Sequence, residues 1–105
     1  MQRFQFRLEK VLKLRIHAEE EAQQAWGLAR SHRQEQQALL ENMQEERLDV
    51  LEFGYQQADR ELRKAMYQYL GVMDERIEKQ KSVVEEAKKR EENAKLKWVT
   101  ARQDR

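Results

Sequence analysis

The chain has 105 residues and a net charge of +1; 39% are Asp, Glu, Lys or Arg, and 39% fall in the hydrophobic class. That balance excludes a thick globular core and suits a thin apolar seam between helices whose other faces stay in water. Cysteine and proline are absent and glycine occurs three times, which excludes disulfides, thiolate metal sites and cysteine nucleophiles and permits long helices.

A first helix is expected over about residues 4–51. Seam positions spaced alternately by four and three run through Phe4, Leu8, Val11, Arg15, Ala18, Ala22, Ala25, Ala29, His32, Gln36, Leu39 and Met43. This is the heptad pattern of a coiled coil, whose a and d positions face the partner helix. The centre is alanine-rich, which permits close approach and gives little apolar burial. Trp26 flanks the series, as a covering residue or a partner anchor.

A turn is expected over about residues 52–58. Gly54 is the natural stopping point, because glycine takes the left-handed conformation without a Cβ clash. Asp59 then suits the N-cap or first turn of a second helix, over about residues 59–104.

In that helix the seam runs through Met66, Leu70, Met73, Ile77, Gln80, Val84, Ala87, Glu91, Ala94, Trp98 and Ala101. The fold class is therefore all-α, a long antiparallel two-helix coiled-coil hairpin in a single domain. Folding back near Gly54 sets Leu8 against Ala101, Val11 against Trp98, Ala22 against Ala87 and Ala25 against Val84. It also sets His32 against Ile77, Leu39 against Leu70, Met43 against Met66 and Glu46 against Arg63. A shift by a whole heptad fits equally well. The polar seam residues Arg15, His32, Gln36, Gln80 and Glu91 set register at a cost in stability.

Charge is unevenly placed. Residues 1–17 carry five basic side chains and one acid, residues 88–105 seven basics and three acids, and residues 41–61 seven acids and two basics. A solvated face or a protein-docking surface accounts for the basic ends. Nucleic acid does not, because the basics are interleaved with acids and no binding motif accompanies them. Residues 1–16, with Phe4, Phe6, Leu8, Val11, Leu12, Leu14 and Ile16, come nearest to a membrane-surface helix. No apolar run is long enough for a membrane span or a signal peptide, so the cytoplasm is the expected compartment. His17 and His32 lack metal-ligand spacing, no glycine-rich phosphate loop exists, and Ser31 and Ser82 have no nucleophilic constellation. Neither a cofactor nor an enzymatic activity is expected.

The opening run from Phe4 to Arg15, followed by Glu19-Glu20-Glu21, resembles the start of the FliJ family of flagellar type III export proteins. Tyr69-Leu70, Met73, Ile77, Gln80 and Trp98 are similar to that family's series after the turn. The resemblance spans nearly the whole chain. It implies an antiparallel coiled coil similar to the central stalk of rotary ATPases. The implied partners are the hexameric export ATPase, the export-gate membrane protein and export chaperones. Peripheral membrane association would then arise through partners, and the chain would be a monomeric hairpin or weak dimer. Carried over residue by residue, the gate face falls on Tyr69, Met73, Arg76 and Gln80. The ATPase-facing end falls on Phe4, Arg7, Lys10, Lys97 and Arg102. Tyr69 replaces a phenylalanine of the family pattern, Met73 a leucine and Arg76 a small residue; family chains also generally continue well past Trp98. An injectisome stalk of the same architecture and a self-associating scaffold remain as alternatives.

Overall fold

The computed structural model describes residues 2–104, and among them there is no strand. Helix α1 spans Gln2–Gln56 and helix α2 spans Arg60–Gln103. Their length follows from the lack of proline and the scarcity of glycine, which leave nothing to interrupt the backbone ladder.

Gly54 does not end α1. The helix runs through it to Gln56, and no glycine has a positive φ. The glycine serves close approach instead: a Cβ at this position would lie 3.2 Å from Met66 Cε and 3.6 Å from its Sδ. Termination comes one turn later, where the Gln57 N–H donates to the Gly54 carbonyl at 3.2 Å, a tightened last turn. Asp59 caps α2, its Oδ1 accepting from the Glu61 N–H at 3.0 Å. Glu61 in the first turn and Arg102 in the last complement the dipole of α2.

The paired helices divide into two units. One comprises Gln34–Glu86; the other comprises the described residues up to Arg33 and those from Ala87 onward. In the first, α2 buries Leu70, Met73, Ile77, Gln80 and Val84, while α1 supplies the half-buried Gln36, Leu40, Met43, Arg47 and Val50. The buried Gln80 is satisfied by α1, since its Nε2 donates to both the Gln36 carbonyl and Gln36 Oε1 at 2.9 Å. Val50, Leu51 and Gly54 gather around Met66 and Leu70, with Tyr55 and Tyr67 at the edge.

In the second unit Ala87 is buried, and Ala22, Trp26, Ala29, Arg33, Glu91, Ala94, Trp98 and Ala101 are half-buried. Trp26 stacks on Trp98 with ring centroids 4.9 Å apart and an interplanar angle of 21°. Arg30 and Arg102, each one turn beyond a tryptophan, hold their guanidinium groups 4.2 Å and 5.3 Å from the ring centroids. Neither indole N–H finds an acceptor, which costs about 1–3 kcal/mol for each enclosed donor. The stacked ring area offsets that loss.

These contacts correct the expected register. Trp98 meets Trp26 rather than Val11, and Met66 meets Gly54 rather than Met43. Met43 and Glu46 share a groove with Met73 and Ile77, so Ile77 is not set against His32 nor Glu46 against Arg63. Ala22 and Ala25 lie with Arg90, Asn93, Ala94 and Lys97, and Leu70 lies with Val50 and Leu51 rather than Leu39.

The α1 seam changes phase as well. Ala22, Ala29, Gln36 and Met43 keep their places, but Ala25, His32 and Leu39 are exposed and Trp26, Arg33 and Leu40 turn inward. Rotating α1 by one residue at alternate positions exchanges an alanine for a tryptophan at the interface, which buries far more apolar area. Leu8 and Val11 are also outside the observed seam, at 54% and 44% exposure. With Trp26 paired to Trp98, α2 ends at Gln103 before it draws level with them.

Candidate interaction surface

In the unit around Gln34–Glu86, Tyr69, Met73 and Arg76 follow one another at i, i+4 and i+7 along α2. That spacing keeps them on one face. With Ile77 they form one wall of a shallow groove of about 90 Å³, and α1 supplies Met43 and Glu46 as the other. Met73 is only 5% exposed and serves as floor, whereas Tyr69 is 48% exposed and Arg76 is exposed at the rim. Gln80 differs from these three. It is buried, and its amide is committed to Gln36.

Of the residues assigned to the other end, Phe4 is 69% exposed, and Arg7, Lys10, Lys97 and Arg102 are exposed. Lys97 borders a groove of about 310 Å³ lined by Ala22, Ala25, Arg90, Asn93 and Ala94. The small alanines create this space, because they leave the helices close but their flanks shallow. Arg102 lies over the ring of Trp98.

Two cross-helix ion pairs accompany these surfaces. Arg47 Nε donates to Asp74 Oδ1, and Arg33 Nε donates to Glu91 Oε2 at 2.7 Å, with Nη2 3.4 Å from Oε1. The hydrogen bond from Arg33 holds the Glu91 carboxyl below the usual carboxylate range; desolvation opposes it, and the charges of Arg33, Arg30 and Lys95 assist. Asp74 in turn raises Arg47 through its hydrogen bond and charge. Each pair joins α1 to α2 at the edge of the seam, where it fixes register more than it adds stability.

Among the described residues no cluster of His, Cys, Asp or Glu could hold a metal ion. One further depression is lined by Arg60, Glu61, Arg63, Lys64, Tyr67 and Gln68, all from the start of α2. A wall from one helix alone brings no groups into convergence for acid–base work. What the arrangement offers is exposed side chains on a rigid helical support, suited to protein contact.

The comparison with known families fits this architecture: the model described as "Flagellar FliJ protein" matches residues 4–105. The chain belongs to the FliJ family. It is therefore a flagellar protein connected with type III export. No curated protein and no solved structure matches it. No helix among the described residues is long and apolar enough to cross a membrane.

Glu46 and the pairing of Trp26 with Trp98 were not apparent as parts of these surfaces from sequence. Glu46 belongs to a general run of acids, and only the observed register brings it beside Arg76. Trp26 did carry a signal, being the largest side chain of its neighbourhood.

Proposed function

We propose that this FliJ-family chain acts as a stalk and escort protein of flagellar export, binding the hexameric export ATPase, the export-gate membrane protein and export chaperones. Family membership over residues 4–105 carries the reading. The two-helix coiled coil supports it, since paired helices with exposed charged and aromatic side chains are suited to be held by partners. The gate-facing role falls on Tyr69 and Arg76, with Met73 beneath them, and Gln80 contributes by fixing α2 against α1. The ATPase-facing role falls on Phe4, Arg7, Lys10, Lys97 and Arg102, whose basic members suit an acidic counterpart. Peripheral association with the cell membrane then follows from the gate and ATPase contacts.

The test is binding of the purified chain to the cognate ATPase hexamer, with ATP hydrolysis as a second readout. Association together with stimulated hydrolysis is the expected result. Absence of association even at low salt, where charge attraction is strongest, overturns the reading.

A further inference from the structure

The groove beside Tyr69 has a wall that the α2 residues do not supply. Met43 and Glu46 come from α1, one turn apart, and face Tyr69, Met73, Arg76 and Ile77 across about 90 Å³ of open space. Three of the six lining residues are apolar, Met73 at the floor with Met43 and Ile77 beside it, and two of those three are methionines. Methionine is unbranched and polarisable, so it moulds itself around an inserted side chain more readily than Leu or Ile does. The volume suits the end of one apolar side chain rather than a whole helix.

The rim is bipolar. Glu46 on α1 and Arg76 on α2 line the same groove, yet among the described residues neither enters an ion pair with the other or with a third side chain. The Arg47–Asp74 pair of the same unit and the Arg33–Glu91 pair of the other show that α1 and α2 do form cross-helix ion pairs. Two opposite charges left open across an apolar floor make a directional socket. One end favours a cation and the other an anion.

We infer that Met43 and Glu46 complete the docking site on the α2 face, and that its occupant is a protein segment with one apolar anchor residue flanked by a basic residue towards Glu46 and an acidic residue towards Arg76. This rests on the reading of Tyr69, Met73 and Arg76 as the export-gate face. It adds that α1 shares the contact, and that the segment binds in one orientation. Anchor insertion with charges at either side is a common division between affinity and specificity.

The experiment uses the full chain and the cytoplasmic part of the cognate gate protein, with calorimetry and methyl-labelled methionine NMR as readouts. Tyr69→Ala should weaken binding by about tenfold or more, as removal of an aromatic anchor does. Glu46→Lys, at an exposed position where folding is safe, should weaken it by about fivefold or more, with Glu46→Gln intermediate. The methyl signals of Met43 and Met73 should shift on titration, while that of Met66, packed against Gly54, should not. If Tyr69→Ala weakens binding but Glu46→Lys leaves it unchanged and the Met43 methyl stays still, the gate-face reading stands and the shared socket is overturned. If the gate protein does not bind, or binds Tyr69→Ala as well as the unaltered chain, the reading fails and the inference fails with it.

Discussion

The two helices meet along one seam, yet they contribute to it unequally. Helix α2 buries Leu70, Met73, Ile77, Gln80, Val84 and Ala87, whereas α1 buries no residue at all. The difference lies in how steadily each seam is kept. On α2 the buried residues hold one spacing from Leu70 through Met73, Ile77 and Gln80 to Val84, so a single stripe faces inward even where an apolar neighbour such as Val72 or Val83 stays outside. On α1 the apolar residues come in adjacent pairs, Ala25-Trp26 and Leu39-Leu40 among them. Two neighbouring residues on a helix point about 100° apart, so one of each pair must remain outside. A well-phased stripe thus packs against a broad, shallow one, and the stability of the coil is concentrated in α2.

The sharpest test of that asymmetry is truncation on the α2 side. Ile77→Ala should cost about 2–5 kcal/mol, the range for a buried Ile or Leu truncated to Ala. Next comes the aromatic contact of the other unit. Trp26→Ala should cost about 2 kcal/mol, below the value for a fully buried aromatic because the ring is only half-buried. Trp26→Phe should be nearly neutral, since it keeps an aromatic ring and removes an enclosed N–H that has no acceptor. Urea unfolding followed by circular dichroism measures all three. Equal losses for Trp26→Ala and Trp26→Phe would mean that the contact needs the full indole surface and that an aromatic ring as such does not sustain it.

The phase of α1 separates two residues of identical type. Leu40→Ala should lose about 1–2 kcal/mol, because Leu40 is half-buried against α2. Leu39→Ala should stay within about 0.5 kcal/mol, because its side chain is 43% exposed. The reverse order would restore the seam in which Leu39 faces α2.

That pair also marks how far the sequence could be read. The helical class, the fold-back and the α2 series were all legible, because Met66, Leu70, Met73, Ile77, Val84 and Trp98 fall on one stripe at regular seam spacing. The Asp59 cap was legible from its chemistry. Register was not. Expecting Ala25 and Leu39 at the seam moved every α1 partner, and the error exceeded a simple heptad slip. Gly54 was misread for a related reason: glycine serves both turns and close contacts, and only the position of Met66 distinguishes them. The exposed Tyr69 and Arg76 could be placed off the seam from spacing alone. Their neighbour Glu46 could not, since its place in the groove depends on the register.

The glycines give a gain rather than a loss. Gly27 and Gly71 have nothing within 4 Å of an added Cβ, so Gly27→Ala and Gly71→Ala should each stabilise the chain by about 0.8–1 kcal/mol through helix propensity. Gly54→Ala should gain less. Its Cβ would press on Met66, although the contact is with the flexible end of that side chain. A loss of stability in Gly54→Ala would show that the Gly54–Met66 approach is rigid.

The smallest effect concerns Glu91, at the α1–α2 contact with Arg33. Its carboxyl is held below the ordinary value of 4.5, chiefly by the hydrogen bond from Arg33. A carboxyl depressed in the folded state contributes stability above its unfolded pKa and loses it as pH falls through the folded one. The contribution should therefore be complete at neutral pH and decline below about pH 4.5. Glu91→Gln should make the loss of melting temperature between neutral and acid pH shallower, with the two chains converging in acid. Added salt should weaken the difference only partly, since a half-buried pair is screened less than an exposed one. Parallel melting curves at every pH would show that Arg33 and Glu91 set register without contributing stability, and would leave the packing of α2 as the main source of cohesion in the seam.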